Sequence, residues 1–226
     1  MTTQKPQTMQ GVSPGTRIDA VSSTTPMHYA LAPNTNSDGP VAMNALQALH
    51  TRSSVPHLGD PLPEPAVLEN IYKAALRAAD HGVLKPWRFL RIHGAARQRL
   101  GDLFITATRA DNPELTTEEQ DRLRQKPMRA PLIVVVISSY CEHPKVPQLE
   151  QDLSAGAAAQ NMLLAAHAQG VGAMWRTGSM AYHPLVKTGL GLGPHEKIIG
   201  FLYIGTIIGG TKNLNDPDTG DFFRDW

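Results

Sequence analysis

Cysteine is almost absent from this sequence: Cys141 is the single one in 226 residues. One thiol builds neither an intrachain disulfide framework nor a cysteine-cluster metal site, and it fits a reducing compartment. Charge of one sign is lacking too. Lys and Arg number 21 against 20 Asp and Glu, a formal net charge of +1, so there is no overall electrostatic footprint for nucleic acid. Long apolar runs are missing. The longest purely apolar stretch of the central region, Leu132 to Ile137, has six residues, whereas a membrane-spanning helix needs about 20. No basic cluster leads into an apolar stretch near Met1, as a secretory signal would. The expectation is a cytoplasmic protein with no membrane and no nucleic-acid partner. Familiar catalytic signatures fail as well. The nine histidines show no His-Glu-x-x-His spacing, and Gly178-Ser179-Met180 lacks the flanks of a nucleophile elbow. Cys141 and His143 alone make no metal site. Gly189-Leu190-Gly191-Leu192-Gly193 follows a helical pattern and reads as helix termination and a turn.

What is present is ordinary globular material: 41% hydrophobic and 18% charged residues, in a length that suits one domain. Residues 1–42 differ from the rest. Ser and Thr supply 11 of them, Gly and Pro another 8, and only six are Val, Ile, Leu, Phe, Tyr or Trp. Such a segment buries too little apolar area to offset the entropy of ordering. It reads as a flexible tail ahead of a domain over 43–226, or as an extension upstream of the true start at Met43.

Beyond Met43 helical and strand periodicities alternate. Helices are expected over 43–51, 65–79, 95–108, 112–126, 148–169 and 183–188. Strands are expected over 88–93, 132–138, 172–175 and 197–204, with 58–65 as a proline-rich connector. Thr116-Thr117-Glu118-Glu119 is a helix-start signal, and the small residues Ala155 to Ala159 suit a central helix packed closely on several neighbours. The pattern is mixed α and β.

Three short segments carry chemistry. Arg52-Ser53-Ser54 follows the first helix; a planar guanidinium fork and two hydroxyls suit a phosphate, although from these residues alone a solvated helix end is the better reading. Arg77 and His81 are four apart and are expected on one side of a helix end, where cations also favour the dipole. Pro86-Trp87 then opens a strand with an aromatic that reads as core. Trp175-Arg176-Thr177 ends a short strand, where exposed backbone amides can donate to a ligand ring.

In order and spacing, these segments resemble the nitroreductase superfamily, nearest its YdjA-like branch. The likeness runs from Met43 to Thr206. It includes Arg52 with Ser54, Arg77-Ala78-x-Asp80-His81, Pro86-Trp87, Arg129-Ala130-Pro131, Ser154-Ala155-Gly156, Trp175-Arg176-x-Gly178 and Gly200-Phe201-Leu202-Tyr203-x-Gly205-Thr206. The resemblance implies an α+β fold: a three-layer, nitroreductase-like arrangement with a central mixed or antiparallel sheet flanked by helices, in an intertwined homodimer. It implies FMN at the dimer interface. Arg52, Ser53 and Ser54 would hold phosphate and ribityl chain, and Arg77 and His81 would reach in from the other subunit. Trp175, Arg176 and Thr177 would line the isoalloxazine. NAD(P)H would supply hydride, and an electron-poor small molecule such as a nitroaromatic or quinone would accept it, with no side chain needed as catalytic acid or base and no metal. Other tasks on the same fold are dehalogenation, flavin breakdown, and non-catalytic flavin or ligand binding. Two positions stand apart. Lys85 occupies a place where that family often has Gln; beside the flavin pyrimidine its charge would raise the reduction potential. Lys212 is the candidate for an added basic contact to the phosphate.

Overall fold

The computed structural model describes residues 43–210 and 214–226. The expected tail and Lys212 lie outside the described residues.

The first helix, α1 (Ala45–Thr51), starts at Asn44, whose side chain accepts from the Gln47 N–H. A two-residue strand, β1 (Leu58–Gly59), follows within the expected connector. Helix α2 (Pro65–Ala75) has proline in its first turn, where the missing N–H costs nothing. Strand β2 (Trp87–His93) leads to α3 (Ala96–Asp111) and α4 (Thr117–Gln125). Helix α4 opens on a reciprocal cap: Glu119 N–H donates to Thr116 Oγ1, and Thr116 N–H donates to the Glu119 carboxylate. Strand β3 (Leu132–Ser139) feeds the 21-residue α5 (Gln148–Ala168), and β4 (Gly172–Arg176), α6 (Pro184–Gly189) and β5 (Glu196–Ile207) complete the order.

Every strand pairing is antiparallel. Strand β5 is the hub, paired with β1, β3 and β4, and β2 pairs on β3. Alternation along the buried strands sorts side chains into two layers. Ile133, Val135, Ile137, Phe201 and Tyr203 face α3, α4 and α6. Leu132, Val134, Val136, Leu202 and Ile204 face α2 and α5. This is the expected three-layer α+β arrangement. The ladder slips between Val136 and Ile137, which face Gly200 and Ile198, so Ile199 is the extra residue of a bulge.

Two expected helices are shorter than their sequence patterns. Helix α4 starts at Thr117 instead of residue 112, because α3 runs on to Asp111, Asn112 caps it, and Thr116 caps α4. Helix α2 stops at Ala75 instead of Ala79, because the Arg77 and Ala78 N–H groups close tighter turns onto Ala74 and Ala75. Arg77 and His81 therefore do not share a helix face; His81 begins a separate turn over His81–Val83.

Candidate functional site

The site is built along the outer edge of β4. Val55 N–H donates to the Ala173 carbonyl at 3.0 Å. In an antiparallel strand a residue turns both backbone groups to one side and its neighbour turns both to the other. Ala173 and Trp175 thus direct N–H and C=O outward, while Gly172, Met174 and Arg176 turn theirs to β5. Among the described residues the Trp175 amide meets no partner at this edge, and the segment leaving α1 brings Arg52, Ser53 and Ser54 toward it just ahead of Val55.

The residue before Arg52 is anchored: Thr51 Oγ1 donates to the Gln47 carbonyl at 2.7 Å and lies 3.0 Å from His167 Nε2. Burial first, and the neighbouring Arg52 cation second, hold His167 below the ordinary imidazole range. An uncharged His167 leaves Arg52 as the charge at this end of α5.

The Trp175 indole points the other way, into the layer beneath α5. Glycine makes its seat. A Cβ on Gly200 would lie 2.1 Å from the indole Nε1, and one on Gly156 would lie 3.9 Å from the far ring carbon. The bulge in β5 is the local distortion beside that seat. Trp175 thus offers a backbone amide to the edge and its ring to the core.

Arg176 faces the opposite layer. Its guanidinium lies over the Tyr203 ring at 5.5 Å, and its Nε is buried without a hydrogen-bond partner. A buried orphan donor on a charged group is costly, which marks this as a place for an acceptor. Burial pushes the Tyr203 hydroxyl up, with Arg176 and Arg129 pulling the other way. A cavity of about 400 Å³ opens here, bounded by Phe104, Lys126, Arg129, Arg176, Thr177 and Tyr203. Lys126 carries no sequence signal of a site, and Arg129 and Tyr203 stand out only through their places in the resemblance.

The remaining expected residues lie elsewhere. Arg77 is exposed beyond α2. His81 Nδ1 meets the Glu150 carboxylate at the start of α5, whereas Arg52 stands beside His167 near the end of that helix. Seventeen residues of helix separate the two by about 25 Å. One chain does not bring them together. The loop between them and β2 is strained: Gly82, Val83 and Lys85 all have positive φ, at 75°, 55° and 50°. Asp80 pins it, accepting from Lys85 N–H at 2.6 Å, while its other carboxylate oxygen is buried without a partner. Among the described residues no group of three or more His, Cys, Asp or Glu could hold a metal, and no helix is long and apolar enough to cross a membrane.

Fold and site together define a ligand-binding α+β protein with an amide-lined strand edge, a basic segment on one side and a basic cavity behind. The family model described as Nitroreductase family matches residues 49–206. The chain is 38% identical over 181 residues to the Escherichia coli (strain K12) protein named "Putative NAD(P)H nitroreductase YdjA", covering 80% of this chain and 98% of that protein. Among solved structures, a nitroreductase-like family protein from Bacillus cereus superposes with a TM-score of 0.71 at 23% identity, over 83% of this chain and 98% of that one. A Desulfovibrio desulfuricans nitroreductase solved in complex with FMN gives 0.61 at 22% identity, over 82% and 98%. This chain belongs to the Nitroreductase family, a family of oxidoreductases.

Proposed function

We propose that the protein is an FMN-dependent NAD(P)H oxidoreductase whose acceptor is an electron-poor small molecule such as a nitroaromatic or a quinone. The observation that supports this reading is the outer edge of β4: Trp175 turns its amide to that edge, Val55, just beyond Arg52-Ser53-Ser54, joins the edge at Ala173, and Arg176 ends the strand. The donor set fits FMN. Arg52 and the two serines supply charge and hydroxyl contacts for a phosphate and a polyol chain. The Trp175 amide and Thr177 suit the polar edge of a ring that gains electron density on reduction. The flavin, when bound, supplies the hydride chemistry; the protein supplies orientation and electrostatics.

Arg77 and His81 join the same site from a second copy of the chain. The 25 Å along α5 supports this, since a single chain keeps His81 far from Arg52. So do the exposed apolar side chains of Leu46, Leu49, Leu76, Val83, Leu149 and Leu153 on α1, α5 and the loop before β2, which a homodimer would have the means to bury. FMN titration followed by flavin fluorescence tests the reading. The wild-type protein binds FMN stoichiometrically, and Arg52→Ala weakens binding by roughly 10- to 100-fold, the usual worth of a charge-assisted contact. Equal affinity in both would remove Arg52 from the site.

A further inference from the structure

The cavity behind β4 holds more positive charge than the strand-edge site uses. Lys126, Arg129 and Arg176 all border it, and no Asp or Glu does. None of the three takes part in an ion pair among the described residues. Arg176 brings a buried Nε with no acceptor. Lys126 and Arg129 sit in the short turn that enters β3, anchored by the buried Pro127. The wall between the cations is aromatic and thioether surface from Phe104, Tyr203 and Met180. Three like charges around one hollow are unfavourable unless an anion joins them, and guanidinium forks match carboxylate geometry. The flat, polarisable wall accepts a ring. Because Arg176 and Thr177 belong both to this cavity and to the end of β4, an occupant would meet the strand edge.

We infer that this cavity is the acceptor pocket and that it selects aromatic acceptors carrying a carboxylate or comparable anionic group, held by Lys126, Arg129 and Arg176. The inference rests on the flavin reading for its place in the reaction; the anion preference is a binding property and stands on the cavity itself.

The probes are 4-nitrobenzoate and its uncharged methyl ester, with binding measured by calorimetry and turnover by NAD(P)H consumption. The wild-type holoenzyme favours the acid over the ester by roughly tenfold or more in affinity and in kcat/KM, as expected for charge-assisted contacts. In Lys126→Gln and Arg129→Gln, both on accessible positions, the ratio falls toward one. Equal binding of acid and ester by the wild-type protein overturns the inference, as does a ratio unchanged in both variants. If the variants instead lose discrimination between NADPH and NADH while keeping the acid preference, the cations hold the coenzyme phosphate and the acceptor assignment is wrong. Loss of bound flavin from the variants would likewise give the cations to the FMN phosphate and overturn it. A colourless wild-type protein that still prefers the acid would overturn the flavin reading but not the anion preference, whereas a yellow, NAD(P)H-reducible protein indifferent to the acid would overturn the preference alone.

Discussion

Gly200 is small because the Trp175 indole occupies the space a Cβ would fill. Gly200→Ala is therefore expected to destabilise the protein by about 1–3 kcal/mol, the usual range for forcing extra volume into a packed layer, and to move the Trp175 emission; chemical denaturation with fluorescence checks both. Glu196 shows the opposite kind of constraint. Its carboxylate receives both Nε and Nη2 of Arg88, the latter at 2.7 Å, and also the Gly193 N–H. The Arg88 hydrogen bond leads the effects that lower its pKa from 4.5 to about 2. The folded pKa is depressed, so the stabilisation is fully present above the unfolded value and is lost as pH falls from about 4.5 through about 2. Glu196→Gln should lower stability at pH 7 by roughly 1–2 kcal/mol, allowing for the partial exposure of Arg88, and flatten the acid limb of a Tm-versus-pH curve. A parallel curve for the two proteins would contradict the assignment.

At the scale of elements, α5 organises the site: Gln151 and Glu150 tie its start to the 141–146 loop and to His81, Gly156 lies under the Trp175 ring, and His167 backs Arg52 near its end. The buried Gln151 amide donates to the Cys141 and Val146 carbonyls, at 2.8 Å and 3.2 Å. That helix was legible in the sequence from its length and its small residues, as was the start of α4 from the spacing of Thr116 and Glu119. Thr116→Ala removes one bond of that cap and should cost about 1 kcal/mol in urea denaturation. The end of α2 was not legible, because Ala78 and Ala79 favour helix and only the tightened turns after Ala75 stop it. Strand β1 was hidden for a different reason: two residues among prolines become a strand only because β5 offers them a partner at Ile207 and Thr206. The loop before β2 hid its conformation too, since neither Val83 nor Lys85 advertises a positive φ. Lys85→Gly should relieve that backbone and stabilise by about 0.5–1 kcal/mol, whereas Lys85→Gln keeps the strain; if Lys85 stands beside the flavin in the dimer, Lys85→Gln also lowers the flavin reduction potential.

For the whole molecule, the resemblance in the sequence pointed to the right fold, and one chain holds His81, beside Glu150, apart from Arg52, beside His167. By themselves Arg52, Ser53 and Ser54 read as a solvated helix end; the resemblance is what assigned them, with Trp175, Arg176 and Thr177, the ligand contacts we propose. The basic cavity was not legible, because Lys126, Arg129, Arg176 and Tyr203 come from distant parts of the sequence and meet only through the pairing of both β3 and β4 on β5. A shared site across two chains makes a strict prediction. Homodimers of Arg52→Ala or of His81→Ala bind FMN weakly. In a mixed dimer of the two variants, one site collects both substitutions and the other none, so close to one FMN per dimer binds with wild-type affinity. Two equally weakened sites would contradict sharing.

The proposed function requires a bound flavin that a nicotinamide nucleotide reduces. The most direct measurement is the absorbance spectrum of the purified protein, repeated anaerobically after addition of NADH and then NADPH. Flavin bands at about one FMN per chain that bleach with either nucleotide are the predicted result; a colourless protein that takes up no added FMN, or a flavin that neither nucleotide reduces, would contradict it.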